Sequence, residues 1–118
     1  MKKLAVFDWI ERHDGTSEFE EYLDSLPKQD SAKLLAIIKN TEDLGIAIAI
    51  KMKWVKKLEK NLFEIRSRQG SDIQRALYFH KSGKKYIITH GFTKKTDKTP
   101  KQEIEHAKMM RQRYGEKE

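Results

Sequence analysis

Between Leu62 and Phe92 the chain runs through three segments of strand length, separated only by Gly70-Ser71-Asp72 and Ser82-Gly83. Leu62 to Arg68, Ile73 to Lys81 and Lys84 to Phe92 are rich in β-branched and aromatic residues. Turns this short leave consecutive strands no option but antiparallel pairing, so a meander is the predicted centre of the fold. Everything else in the chain has to pack on that sheet.

Upstream, Leu4 to Trp9 reads as a short strand, and Asp14-Gly15-Thr16-Ser17 as a turn. Ser17 with Glu20 fits a capping box that opens a helix carrying Phe19, Tyr22, Leu23 and Leu26. Pro27 ends that helix and suits the first turn of the next, whose Leu34, Leu35, Ile38, Thr41 and Leu44 share a face before Gly45. Residues 46–60 are irregular with room for a short strand, and Gly45 to Ile50, the longest apolar run, is strand-sized. Thr99-Pro100, with Gln102 in the capping position, opens a last helix whose Ile104, Ala107, Met110 or Arg111, and Tyr114 are placed to cover part of the sheet. The predicted order is β-α-α-β-β-β-α: an α+β fold, a small antiparallel sheet packed with helices. With 118 residues, no internal repeat and no linker, residues 1–118 are expected to form one domain.

No cysteine is present, which removes disulfides, thiolate nucleophiles and Cys-based metal sites. No apolar stretch approaches a membrane span, and Asp8, Glu11 and Asp14 interrupt any signal-like region after Met1. The expectation is a soluble, cytoplasmic domain. Charge is unevenly placed: residues 1–50 carry 6 Lys/Arg and 10 Asp/Glu, residues 51–101 carry 15 and 4, and residues 102–118 carry 4 and 4. A basic block on an otherwise ordinary scaffold is the signature of a polyanion-facing surface. Lys53, Lys56 and Lys57 lie in it, together with Arg68.

Alternation assigns faces. Phe63 and Ile65 point one way, and Glu64, Arg66 and Arg68 the other. Arg75 shares a face with Ile73, Leu77 and Phe79, and strict alternation puts Tyr86, Ile88, His90 and Phe92 together. Arg66 and Arg75 could then converge in a shallow basic groove, with apolar residues and helices on the opposite side. Tyr78 and Phe92, beside the basic residues, are candidate stacking platforms for bases. Trp9 and Trp54 suit the core or a protein contact, and Met109, Met110 and Tyr114 helix packing.

The basic block holds only Glu59, Glu64, Asp72 and Asp97 as carboxylates, dispersed over separate elements, which argues against a two-metal nuclease site. His13, His80, His90 and His106 lack zinc-ligand spacing, and neither a phosphate-binding Gly-Lys loop nor a nucleophile elbow is present. RNA cleavage that uses the substrate's own 2′-hydroxyl needs less: a base, an acid, and donors for the charge that builds on phosphorus. Arginine forks suit the last task.

Lys57-Leu58-Glu59, Leu62-Phe63-Glu64-Ile65-Arg66, Arg75-Ala76-Leu77-Tyr78-Phe79, His90-Gly91-Phe92-Thr93-Lys94-Lys95-Thr96 and Thr99-Pro100-Lys101-Gln102-Glu103-Ile104 follow in that order. This series, strongest between about residues 55 and 110, resembles the HigB-like branch of the RelE/ParE toxin superfamily. The resemblance implies a type II toxin that enters the ribosomal A site and cleaves mRNA there without metal or other cofactor. It implies a small helix-turn-helix antitoxin, HigA-like, as partner, with operator DNA reached only through that antitoxin, and no membrane partner. By the same resemblance Arg66 contacts the scissile phosphate, Arg75 is the second strand arginine, and Lys94 and Lys95 form the phosphate-binding basic turn. Lys98 and Lys101 would bind mRNA or ribosomal RNA. Ile104 stands where RelE itself has a catalytic tyrosine, so the acid and base do not carry over; His80, His90 and His106 are candidates, His90 first. A ParE-like non-enzymatic topoisomerase inhibitor, or a plain nucleic-acid-binding module, would use the same fold.

Overall fold

The computed structural model describes residues 2–117. Its elements are β1 (Val6–Trp9), α1 (Glu18–Ser25), α2 (Lys28–Leu44), α3 (Ile46–Lys51), β2 (Val55–Glu59), β3 (Leu62–Gln69), β4 (Asp72–Ser82), β5 (Lys85–Lys94) and α4 (Lys101–Lys117). The meander is there, β2 extends it on one side, and the sheet order is β1-β5-β4-β3-β2. β1 runs parallel to β5, with Phe7 beside Tyr86, so the sheet is mixed rather than purely antiparallel. A parallel neighbour needs a long crossover, and the whole of the chain from α1 to β4 supplies it.

Local signals set most boundaries. The Ser17 hydroxyl accepts from the Phe19 and Glu20 amides at 3.2 and 3.3 Å, and acidic Glu18, Glu20 and Glu21 occupy the first turn of α1, where the helix dipole favours them. The reciprocal half of a capping box is not made, because the Glu20 carboxylate accepts from the Trp9 indole instead, at 2.9 Å. Gly45 ends α2 at φ +92°, a backbone setting that L side chains resist. The apolar run that follows is helix α3 and not a strand. Ala49 is buried and Ile46 packs on the core, while Ile48 and Ile50 lie exposed, a helical rather than a period-two distribution. Leu35 and Leu44, expected on the buried face of α2, are also exposed.

Both faces of the sheet are covered. On one, Phe7, Ile65, Ala76, Tyr78 and Ile88 pack under Phe19, Leu34, Ile38 and Ala49 from α1, α2 and α3. On the other, Leu62, Leu77 and Phe92 meet Ile104 and Ala107 of α4, and Tyr114 sets its ring edge against Phe79. Strict alternation fails in the middle of β5, besides register shifts at Lys57–Glu59 of β2 and His80–Ser82 of β4. Leu77 pairs with His90 but Tyr78 with Ile88, leaving Thr89 as an extra residue. A bulge of this kind turns the strand over. Tyr86 and Ile88 therefore face α1 and α2, whereas His90 and Phe92 face α4, and the four do not share a side as alternation predicts. The Thr89 hydroxyl donates to the Leu77 carbonyl at 3.3 Å. Gly91, just beyond, lets the Tyr22 ring approach so closely that a Cβ there would stand 2.3 Å from it.

Candidate active site

On β3, period two sends Glu64, Arg66 and Arg68 to the α4 side of the sheet, and the Gly70-Ser71 turn fixes the register so that Arg66 lies directly opposite Arg75. Arg75 in turn faces Phe92 of β5, with its guanidinium carbon 5.7 Å from the ring centre. The convergence expected of Arg66 and Arg75 is thus made by the pairing itself. Two like charges directly opposed across a ladder repel, and they need anions nearby.

Glu64 is the first such anion. Its carboxylate is fully buried; Oε2 accepts from Arg66 Nε at 2.9 Å and from Arg66 Nη2, and Oε1 accepts from the Thr99 hydroxyl at 2.6 Å and stands 3.7 Å from Arg75 Nη1. Asp97 is the second. Its Oδ1 accepts from Arg68 Nη2 at 2.7 Å and from Arg66 Nη1 at 3.4 Å. Its backbone carbonyl accepts from Arg66 Nη2 at 3.0 Å and Arg75 Nη1 at 3.3 Å, and the Lys98 carbonyl also takes Arg75 Nη1 at 3.3 Å. The Arg68 bond, first, and the neighbouring guanidiniums hold the Asp97 carboxyl below its ordinary range. Burial lowers the Arg75 pKa, while Glu64 works to raise it again.

The three arginines differ in exposure, and so in what they can reach. The Arg75 side chain is fully enclosed, with Nε and Nη2 lacking a hydrogen-bond partner; Arg66 is 13% exposed and Arg68 58%. Arg66 also lines a shallow recess of about 220 Å³ with Ile50, Lys53, Val55 and Lys56. Lys53 and Lys56 therefore join Arg66, whereas Lys57, paired with Phe63, belongs to the other face. Lys94, Lys95, Lys98 and Lys101 are all exposed on the segment that runs from the end of β5 through Asp97 to α4.

His90 is elsewhere engaged. Its Nδ1 meets the Thr89 hydroxyl at 3.0 Å, its Nε2 meets Glu103 at 3.1 Å, and its ring contacts Phe92 and, edge to face, His106. Burial, first, lowers its pKa and so favours the neutral ring, against the opposing pull of Glu103. His106 pairs with Glu18 at 2.9 Å and lines a cleft of about 520 Å³ with Ile10, Arg12, Met110 and Tyr114. His80 sits at the β4–β5 hairpin against the Gly83 carbonyl. Phe92 is buried, and Tyr78 is buried on the opposite face; with no exposed ring, Tyr78 offers no stacking platform. Ile104 packs with Leu62, Leu77 and Phe92. Among the described residues no group of three or more histidines and carboxylates is placed to hold a metal ion. Glu64, Asp97, Thr99 and Glu103 were not among the candidates. The one signal was Asp97 itself, a lone acid in the basic stretch from Lys94 to Lys101.

A small α+β fold, a five-stranded mixed sheet packed with four helices, defines the class: it is consistent with a RelE-like fold. Residues 21–112, which include all three arginines and the Asp97 segment, match the family described as phage derived protein Gp49-like (DUF891), and the chain belongs to that family. It is a RelE/Gp49 toxin-like family associated with the toxins of toxin–antitoxin pairs, which implies a cognate antitoxin as partner. No match was found among curated proteins.

Proposed function

We propose that the protein is the toxin of a type II pair and acts as a ribosome-dependent mRNA endoribonuclease of the HigB kind. Its Arg66–Arg75–Arg68 face takes the scissile phosphate, and a HigA-like antitoxin neutralises it. The observation that carries this reading is the direct opposition of Arg66 and Arg75 beside Arg68, Lys53 and Lys56. In the proposed reaction the 2′-oxygen of one nucleotide bonds to the adjacent phosphorus and the P–O5′ bond breaks. The 2′-hydroxyl proton leaves to a base, and the departing 5′-oxygen receives a proton from an acid. The products are a 2′,3′-cyclic phosphate and a 5′-hydroxyl. Charge grows on the non-bridging oxygens, where a partly exposed arginine fork is worth most.

Arg66 is the phosphate ligand in this scheme. Arg75, buried and bonded to the Asp97 and Lys98 carbonyls, holds the loop and adds field from below. Lys94, Lys95, Lys98 and Lys101 follow the RNA backbone and supply the proton donor. His90 acts by fixing Phe92 and α4, since both its nitrogens are engaged.

The test is brief expression with mapping of mRNA 5′ ends, beside Arg66→Ala. Cuts confined to translated transcripts, and lost in the variant, are expected. Growth arrest with intact transcripts would refute the reading in favour of topoisomerase inhibition, and a harmless chain would leave a binding module.

A further inference from the structure

Arg66 and Arg68 already hold an anion, and it is part of the protein. The Asp97 side chain is 75% exposed and lies on the segment between β5 and α4, yet its Oδ1 bridges Arg68 at 2.7 Å and Arg66 at 3.4 Å. A carboxylate and a phosphodiester present the same kind of oxygen to a guanidinium. Glu64, by contrast, is enclosed and cannot exchange. Of the two carboxylates that offset the opposed arginines, then, one is permanent and one is at the surface on a loop.

We propose that Asp97 occupies the seat of the substrate phosphate in the free protein, as an internal competitor that RNA must displace. The inference rests on the phosphate-binding reading of the arginine face and adds a gate to it. With the seat empty, Asp97 relieves repulsion between Arg66, Arg68 and Arg75; when a phosphate arrives it takes over that task and the carboxylate swings out. Lys95 and Lys98 lie on the same loop, with Lys94 at the end of β5 and Lys101 at the start of α4, all exposed, so a phosphate that displaces the Asp97 carboxylate has four cations around it. A polyanion of the wrong shape engages the lysines without opening the seat.

Asp97→Asn isolates the effect, because the backbone carbonyl that accepts from Arg66 and Arg75 remains. An exposed ion pair favours the closed state by up to about fivefold, and a ligand that needs the open state binds more weakly by the open fraction. Asp97→Asn is therefore expected to tighten binding of a 2′-O-methyl RNA oligonucleotide, which cannot be cleaved, by about three- to sixfold. Asp24→Asn, the same charge change at an exposed position on α1, should alter it by less than about twofold. Inorganic phosphate, followed through the arginine side-chain NMR signals, is the second probe and should show the same order. Equal gains in both variants, or no gain or a loss in Asp97→Asn, would overturn the gate while leaving the arginine site standing. If neither wild type nor variant binds the RNA, the RNA reading fails and the phosphate titration alone decides the gate.

Discussion

Replacing Glu64 by Gln keeps the shape of the side chain and removes its charge. The Thr99 hydroxyl still finds an amide oxygen, but Arg75, whose side chain is fully enclosed, loses its buried counter-charge, and Arg66 loses a two-pronged bond. Breaking a buried pair from one side costs about 3–5 kcal/mol, because the remaining charge stays desolvated. An unfolding entropy of about 2.1 cal/mol/K per residue over 118 residues comes to roughly 0.25 kcal/mol per degree. The melting temperature should therefore fall by about 12–20 °C, read by circular dichroism. Arg75→Gln removes the other half, and the double variant should be at least about 1 kcal/mol better than the sum of the singles. A fall of under about 3 °C, or simple additivity, would refute the claim that Glu64 sustains the buried arginine.

Two further expectations concern β5. Gly91→Ala drives a methyl into the Tyr22 ring, whose hydroxyl donates to the Phe92 carbonyl at 3.0 Å, and should cost about 1–3 kcal/mol in a denaturant titration. A neutral effect would mean that Tyr22 moves freely. His90 has a folded pKa below its unfolded one, so the unfolded chain binds more protons as pH drops below about 6.5 and stability falls with it. Glu103, His106 and Glu18 surround the ring and bear on the same titration. Wild type should lose more stability than His90→Asn between about pH 7.5 and about pH 5.5, and an identical loss would place the titration elsewhere.

The proposed gate and the proposed cleavage separate cleanly in experiment. Arg66→Ala bears on chemistry, Asp97→Asn on access, and Glu64→Gln on the frame that holds both. Opposite effects on RNA binding from Arg66→Ala and Asp97→Asn follow from charge alone, so it is the larger gain in Asp97→Asn than in Asp24→Asn that identifies the seat.

Much of the geometry of this site is legible in the sequence, for local reasons. Period two on β3 set Glu64, Arg66 and Arg68 on one side, and a tight turn at Gly70-Ser71 leaves the β3–β4 pairing little freedom, so Arg66 meets Arg75. Helix caps and breakers likewise act within a few residues, which is why Ser17 and Gly45 could be read directly. Other features depend on partners far along the chain. The Thr89 bulge reverses His90 and Phe92 because α4 offers them a second core, and nothing near Thr89 encodes that. The apolar run at Ile46–Lys51 becomes a helix because the sheet needs a cover there, and β1 finds β5 across most of the molecule. Asp97 reaches Arg66 and Arg68 over some thirty residues of chain. Short-range geometry decided which side of a strand each residue takes; only the closed fold, where distant charges and surfaces must be matched, decided which of them meet.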